Sequence, residues 1–183
     1  MTTKTYSKTT CLILCGIFAA ITAICSFVTI PLGFTPVPVN LGTLAVFLAG
    51  GLLGPKYGPL SQLVYILVGA VGVPVFAGFR GGFGVLMGPT GGYIIGYIAA
   101  TLIIGLLLDR LWDERRNLML CALSMALGLI VCYALGTAWF IISTGSNVEA
   151  ALVSCILPFI PGDIIKIIVA TILTRRLKPT LSF

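Results

Sequence analysis

Apolar residues run along this chain in long blocks, separated by short polar or irregular pieces. The first block, Cys11 to Ile30, follows a polar stretch over residues 1–10 that carries Lys4 and Lys8. About 20 apolar residues match one helical crossing of a bilayer. PLGFTPVPVN follows at 31–40, and its three prolines rule out regular helix and indicate a rigid, shaped loop. Leu41 to Leu53 forms a second block, short for a crossing, and GPKYGP reads as a tight turn carrying Lys56. A third short block spans 59–71, and the glycine-rich VPVFAGFRGGFGVLMGPT comes next. Gly91 to Leu108 predicts a fourth helix, RLWDERRN is the most charged segment, and Leu118 to Thr144 predicts a long fifth helix. Beyond the polar break GSNVEAA, residues 150–157 read as a short surface or re-entrant helix. PFIPGD then opens a last helix that runs to about Leu177 and ends in RRLKP. No low-complexity segment or internal repeat stands out.

Composition turns these blocks into a membrane assignment. The 183 residues are 58% hydrophobic and 9% charged, where a soluble domain carries about 25% charge. The mean hydropathy is +1.14. The expectation is an all-α integral membrane protein, one transmembrane domain over 1–183, multi-pass in the cell membrane. No A-x-A cleavage pattern follows the first block, so it reads as a retained span.

The net charge of +6 could suggest nucleic acid, but its placement argues against it. With the N-terminus cytoplasmic and helices alternating, Lys4, Lys8, Lys56, Arg110, Arg115, Arg116, Arg175, Arg176 and Lys178 all fall inside. Only Arg80 falls outside, and Lys166 lies within a span. This bias follows the positive-inside rule and predicts six transmembrane helices with both termini cytoplasmic. The charges then lie against the anionic inner leaflet of the lipid bilayer, and no nucleic acid is required. The same topology sends the proline-rich loop, the glycine stretch and PFIPGD to the outer side. Irregular backbone at membrane depth is tolerated where it lines a cavity, so the three pieces predict a site opening outward.

Seven of the sixteen residues in GFRGGFGVLMGPTGGY are glycine. A phosphate-binding loop would need a lysine at its end or a preceding strand, and neither is present. Gly92, Gly96 and Ala100, at spacing four, suit close helix packing. Phe79, Gly81 and Gly82 precede that helix and read as a loop whose N–H groups meet a ligand. Asp163 and Lys166, three apart in PGDIIK, share a helix face in an otherwise apolar run. Charge inside a bilayer is costly and is usually paired and functional. The pair offers an acceptor beside a donor, suited to a urea or amide, and lysine also suits a carboxylate. Arg80 reads as a carboxylate clamp or a solvated loop charge. Asn40, Gln62 and Tyr93 are further polar candidates. Gly16, Ala19, Ala20 and Ala23 form overlapping small-residue pairs for a close helix partner, internal or from another subunit. The chain has no histidine, and its six cysteines sit in or beside apolar blocks as small hydrophobes. No catalytic motif, metal set or cofactor site is expected, so the chain reads as a binder and not an enzyme.

The order PVPVN, VGVPVFAGFRGG, GVLMGPTGGYIIGY, PGDIIK resembles the BioY family of biotin-specific S components of energy-coupling factor (ECF) transporters. The resemblance covers most of the chain. It implies a six-helix subunit that captures biotin at the outer face, powered by two cytoplasmic ATPase subunits through a transmembrane T component. It places the face toward that component among Gly16, Ala19, Ala20 and Ala23. Biotin's ureido ring would meet Asp163 and Lys166 and its carboxylate Arg80, or the roles of Lys166 and Arg80 are reversed. The family's usual ITLQT reads VNLGT here, so Gly42 stands in place of a glutamine and Asn40 is the compensating candidate. Two other readings stay open: a solitary proton-coupled carrier using Asp163, and a structural subunit without a ligand.

Overall fold

A computed structural model describes residues 7–111 and 118–179. Lys4 and most of the charged RLWDERRN segment, with Arg115 and Arg116, lie outside the described residues. The first helix, α1 (Lys8–Phe27), starts three residues before the expected block because Ser7 caps it, its Oγ accepting from the Thr10 N–H at 3.2 Å. It ends before Ile30 because Thr29–Ile30 (β1) pairs antiparallel with Val39–Asn40 (β2), closing the proline-rich loop as a short hairpin.

The second and third apolar blocks join as α2 (Gly42–Ala70), where the sequence predicts two helices around a tight turn. The turn is a single residue, Gly54, at φ 73° and ψ −170°. Glycine adopts that φ without the penalty a Cβ would bring. Pro55 then starts the second half, where its missing N–H costs nothing. The halves fold back on each other, since a Cβ on Gly58 would lie 3.1 Å from the Ala49 carbonyl oxygen. The rest comprises α3 (Phe83–Met87), α4 (Gly91–Leu111), α5 (Leu118–Thr144), α6 (Val148–Cys155) and α7 (Ile160–Leu177). The glycine stretch is therefore not loop throughout.

Side-chain contacts fix the helix directions. Cys15 meets Tyr57, Thr22 meets Gln62 and Ser26 meets Tyr65, so α1 and the second half of α2 run parallel. The first half of α2 runs parallel to α4, because Gly50 packs on Ile104 and Gly105 packs on Pro55. Helices α4 and α5 are antiparallel and close: a Cβ on Gly92 would sit 2.2 Å from Trp139 Cβ, and one on Gly136 would sit 2.2 Å from the Tyr93 ring. Small residues thus let these backbones approach where lipid offers no hydrophobic drive. Chain direction alternates through α1, the two halves of α2, α4, α5 and α7.

Among the described residues, three helices, α1, α4 and α5, are long and apolar enough to cross a membrane. A fourth crossing arises if α6 and α7, bent by 50°, act as one broken span. Aliphatic side chains such as Leu12, Ile24, Ile130, Ile142, Ile165 and Ile168 stand exposed around the bundle. Inside, Phe47, Ile104, Leu108 and Met125 form one buried cluster, and Tyr65, Phe76, Tyr93, Tyr97 and Phe159 belong to another. The aromatic cluster sits at the end that carries β1–β2, α3 and α6.

Candidate functional site

Residues from all three irregular segments line one cavity of about 730 Å³, counting its open mouth. Val37, Pro38 and Asn40 come from the first loop, Phe76, Ala77, Arg80, Val85 and Thr90 from the glycine stretch, and Cys155 and Phe159 from α6 and the entry to α7. The floor is built by Ser26 of α1, Thr43 and Tyr65 of α2, Tyr93, Ile94 and Tyr97 of α4, and Cys132 and Tyr133 of α5. Asp163 and Lys166 of α7 complete it.

Sequence dictates how the charged pair is held. Pro161 stands in the first turn of α7, where no N–H is needed, and Asp163 follows in that turn, favoured by the helix dipole. One turn on, Lys166 lies over the same face. Both are buried, at 2% and 6% exposure, and their ion pair measures 2.8 Å. At that burial neither charge is tolerable alone. Lys166 Nζ donates to Asp163 Oδ1, to the Asn40 carbonyl oxygen at 2.6 Å and to Thr43 Oγ1 at 3.0 Å. Asp163 Oδ1 also accepts from Thr43 Oγ1 at 3.0 Å, and Oδ2 accepts from the Tyr133 hydroxyl. The network binds α7 to the start of α2, to β2 and to α5.

A second polar group lies on the α1 side of the floor. Tyr65 donates to Ser26 Oγ at 3.1 Å, and Ser26 donates to the Thr22 carbonyl at 2.8 Å. A Cβ on Gly42 would sit 2.9 Å from both Asn40 Oδ1 and the Tyr97 hydroxyl and 3.0 Å from Ser26 Oγ. Glycine at 42 thus admits the Asn40 side chain, which accepts from the Gly42 N–H at 2.8 Å. The Asn40 carboxamide occupies the space a side chain at 42 would need.

Of the residues singled out from sequence, Asp163, Lys166, Asn40, Tyr93 and Arg80 are brought together on the cavity wall. Arg80 is exposed, held by a bridge between its backbone and that of Phe76 and by a 3.4 Å bond from Nε to the Ala77 carbonyl. Gln62, Phe79, Gly81 and Gly82 are not part of the lining. Gln62 is fully buried between α1 and α2, where Nε2 donates to Thr22 Oγ1 and Ser61 Oγ at 3.2 Å. Phe79, at φ 56°, stacks on Phe27 with centroids 4.4 Å apart. Gly81 and Gly82 both meet neighbouring backbone. A Cβ on Gly81 would lie 2.4 Å from the Val73 carbonyl oxygen, and the Gly82 N–H is taken by Gly69 at 2.7 Å.

The small residues of α1 also separate. Ala19 and Ala23 are buried at 7% and 8% exposure, packed inside the bundle, so they are not available to an outside partner in this arrangement. Gly16 and Ala20 face outward, and nothing lies within 4 Å of a Cβ placed on Gly16. Sequence reasoning missed Thr43, Tyr133, Tyr97 and Phe76. Tyr133 carried a signal, as a hydroxyl beside the small-residue face made by Gly128, Cys132 and Gly136.

Comparison with known proteins agrees with this geometry. The model of the BioY family matches residues 1–183. The biotin transporter BioY of Thermotoga maritima is 40% identical over 168 residues, covering 91% of this chain and 95% of that protein. The probable biotin transporter BioY of Pyrococcus horikoshii is 41% identical, covering 90% and 94%. Among solved structures, the S component for biotin from an ECF-type ABC transporter superposes with a TM-score of 0.87 at 34% identity, covering 94% of this chain and 92% of that one.

Proposed function

The chain belongs to the BioY family, and we propose that it is the biotin-capturing S component of an ECF-type importer. The observation that carries this is the buried Asp163–Lys166 pair set into the wall of an otherwise largely apolar cavity. Biotin is a ureido ring with N–H donors and a C=O acceptor, a thioether ring and an aliphatic carboxylate tail. The ureido ring suits Asp163, Lys166 and Asn40, with Tyr93 and the apolar walls of Phe76, Ile94 and Phe159 around the rings. The carboxylate then points to the mouth, where Arg80 stands. The relatives are named as transporters and not as enzymes.

In this reading the chain crosses the membrane six times, with the two halves of α2 as short second and third crossings and both termini in the cytoplasm. The alternating helix directions and the distribution of lysine and arginine support it. The cavity then opens outward. A transmembrane T component, with two cytoplasmic ATPase subunits behind it, docks on the outward face of α1 at Gly16 and Ala20. A carrier driven by protons through Asp163 is the weaker reading, since both carboxylate oxygens are already engaged by Lys166, Thr43 and Tyr133.

Calorimetric titration of the purified chain in detergent with biotin and with desthiobiotin tests the proposal. One-to-one binding of biotin, lost on Lys166→Ala in a protein that remains folded, is expected. Absence of binding to folded wild-type protein overturns it.

A further inference from the structure

A second crevice lies at the opposite end of the bundle from the cavity. Arg175 and Arg176 stand in the last turn of α7, and Asp163 stands in its first, roughly 18 Å away along the axis. Both arginines, with Ile172 of α7 and Leu118 of α5, line a groove of about 610 Å³ counting its open side. All four side chains are exposed, and no acidic side chain lines the groove among the described residues.

We infer that this groove binds the phosphate headgroup of an anionic glycerophospholipid. Guanidinium forks match phosphate oxygens two at a time, and adjacent arginines open two forks onto one space. Complementing the helix dipole would explain basic residues in a last turn. It does not explain why both side chains border one crevice floored by aliphatic groups. Exposed Ile165, Ile168 and Val169 lie at helical spacing on the same side of α7 as Ile172 and extend that apolar floor along the helix. An acyl chain lies along that surface when the phosphate sits between the arginines, which a soluble phosphate cannot reproduce. Basic pockets between membrane helices recur as anionic lipid sites. Helix α1 packs chiefly on α2, whereas the groove is lined by α5 and α7. A lipid held here does not compete for α1.

The test is native mass spectrometry of the full chain, released from detergent micelles doped equally with phosphatidylglycerol and phosphatidylcholine. Wild-type protein is expected to retain one phosphatidylglycerol in preference to phosphatidylcholine. Arg175→Gln/Arg176→Gln weakens that retention roughly thirty-fold, and each single variant roughly five-fold. Arg110→Gln, which alters a basic residue outside the lining, leaves it unchanged. Biotin titration and circular dichroism report that the variants remain folded, because the biotin cavity lies at the far end. The inference is overturned by equal retention of both lipids, by an undiminished signal in the double variant, or by an equal loss in Arg110→Gln. It is also overturned if soluble glycerol phosphate displaces the lipid at matched concentration, which would make the groove a site for free anions.

Discussion

Lys166→Met tests whether the charged pair holds the site together. The methionine keeps the volume of the lysine stem and deletes the ammonium. Asp163 then sits 2% exposed with a charge answered only by the Thr43 and Tyr133 hydroxyls, and the Asn40 carbonyl loses its donor. Removing one partner of a buried pair costs about 3–5 kcal/mol. For a chain of this length that corresponds to a fall in Tm of roughly 10 °C. Asp163→Asn alone strands the ammonium and costs a similar amount. The double variant Asp163→Asn/Lys166→Met carries no buried charge, so only the Asn40 carbonyl remains unpaired, at about 1–3 kcal/mol. Its Tm should lie above that of either single variant, although biotin binding stays lost in all three. Thermal unfolding in detergent, followed by circular dichroism, reads the cycle. A double variant that loses the sum of the two single effects would refute the coupling, and with it the account of how α7 is tied to α2 and β2.

Other substitutions separate the roles assigned above. Tyr133→Phe removes a donor to the buried Asp163 carboxylate, so biotin affinity should fall about 10–100-fold by calorimetry and Tm should fall by roughly 5 °C. Gly136→Ala drives a methyl into the Tyr93 ring, 2.2 Å away, and should lower stability by about 1–3 kcal/mol in denaturant unfolding. Gly16→Leu and Ala20→Leu should leave biotin binding intact and abolish copurification with a T component. Ala19→Leu or Ala23→Leu should instead destabilise the isolated chain.

The helices were legible because each long apolar block has one interpretation in a chain so poor in charge. The α2 reversal was legible as a tight turn at GPKYGP, and the structure narrows it to the backbone of Gly54 with Pro55 already in the second half. At the site, Asp163 and Lys166 stood out because charge inside a span demands an explanation. Gln62 raised the same signal and proved to join α1 to α2, since a polar side chain in a span declares only that it has partners. Thr43 and Tyr133 became visible only when α2 and α5 were brought against α7. Composition shows that backbone must come close to something, and here the close neighbour of Gly81 is the Val73 carbonyl.

The proposed orientation of biotin rests on the difference in burial between the two ends of the cavity. At the α7 end a ligand group exchanges with bonds already made among Lys166, Thr43, Asp163 and Tyr133, in surroundings almost without water. A ligand that cannot complete that exchange leaves a buried charge or donor unpaired, at about 1–3 kcal/mol per group or more. At the mouth, Arg80 is exposed, and an ion pair there contributes about 0–1 kcal/mol. Two modified ligands therefore behave differently if the ureido ring lies deep. Biotin methyl ester, which lacks the carboxylate charge, should bind no more than about five-fold more weakly than biotin. A derivative methylated on a ureido nitrogen should lose about 100-fold or more, because the methyl both removes a donor and fills the space beside Asp163. Calorimetry on the wild-type chain reads both. A large loss with the ester and a small one with the methylated ring would reverse the assignment. It would place the carboxylate on Lys166, leaving Arg80 as a solvated loop charge.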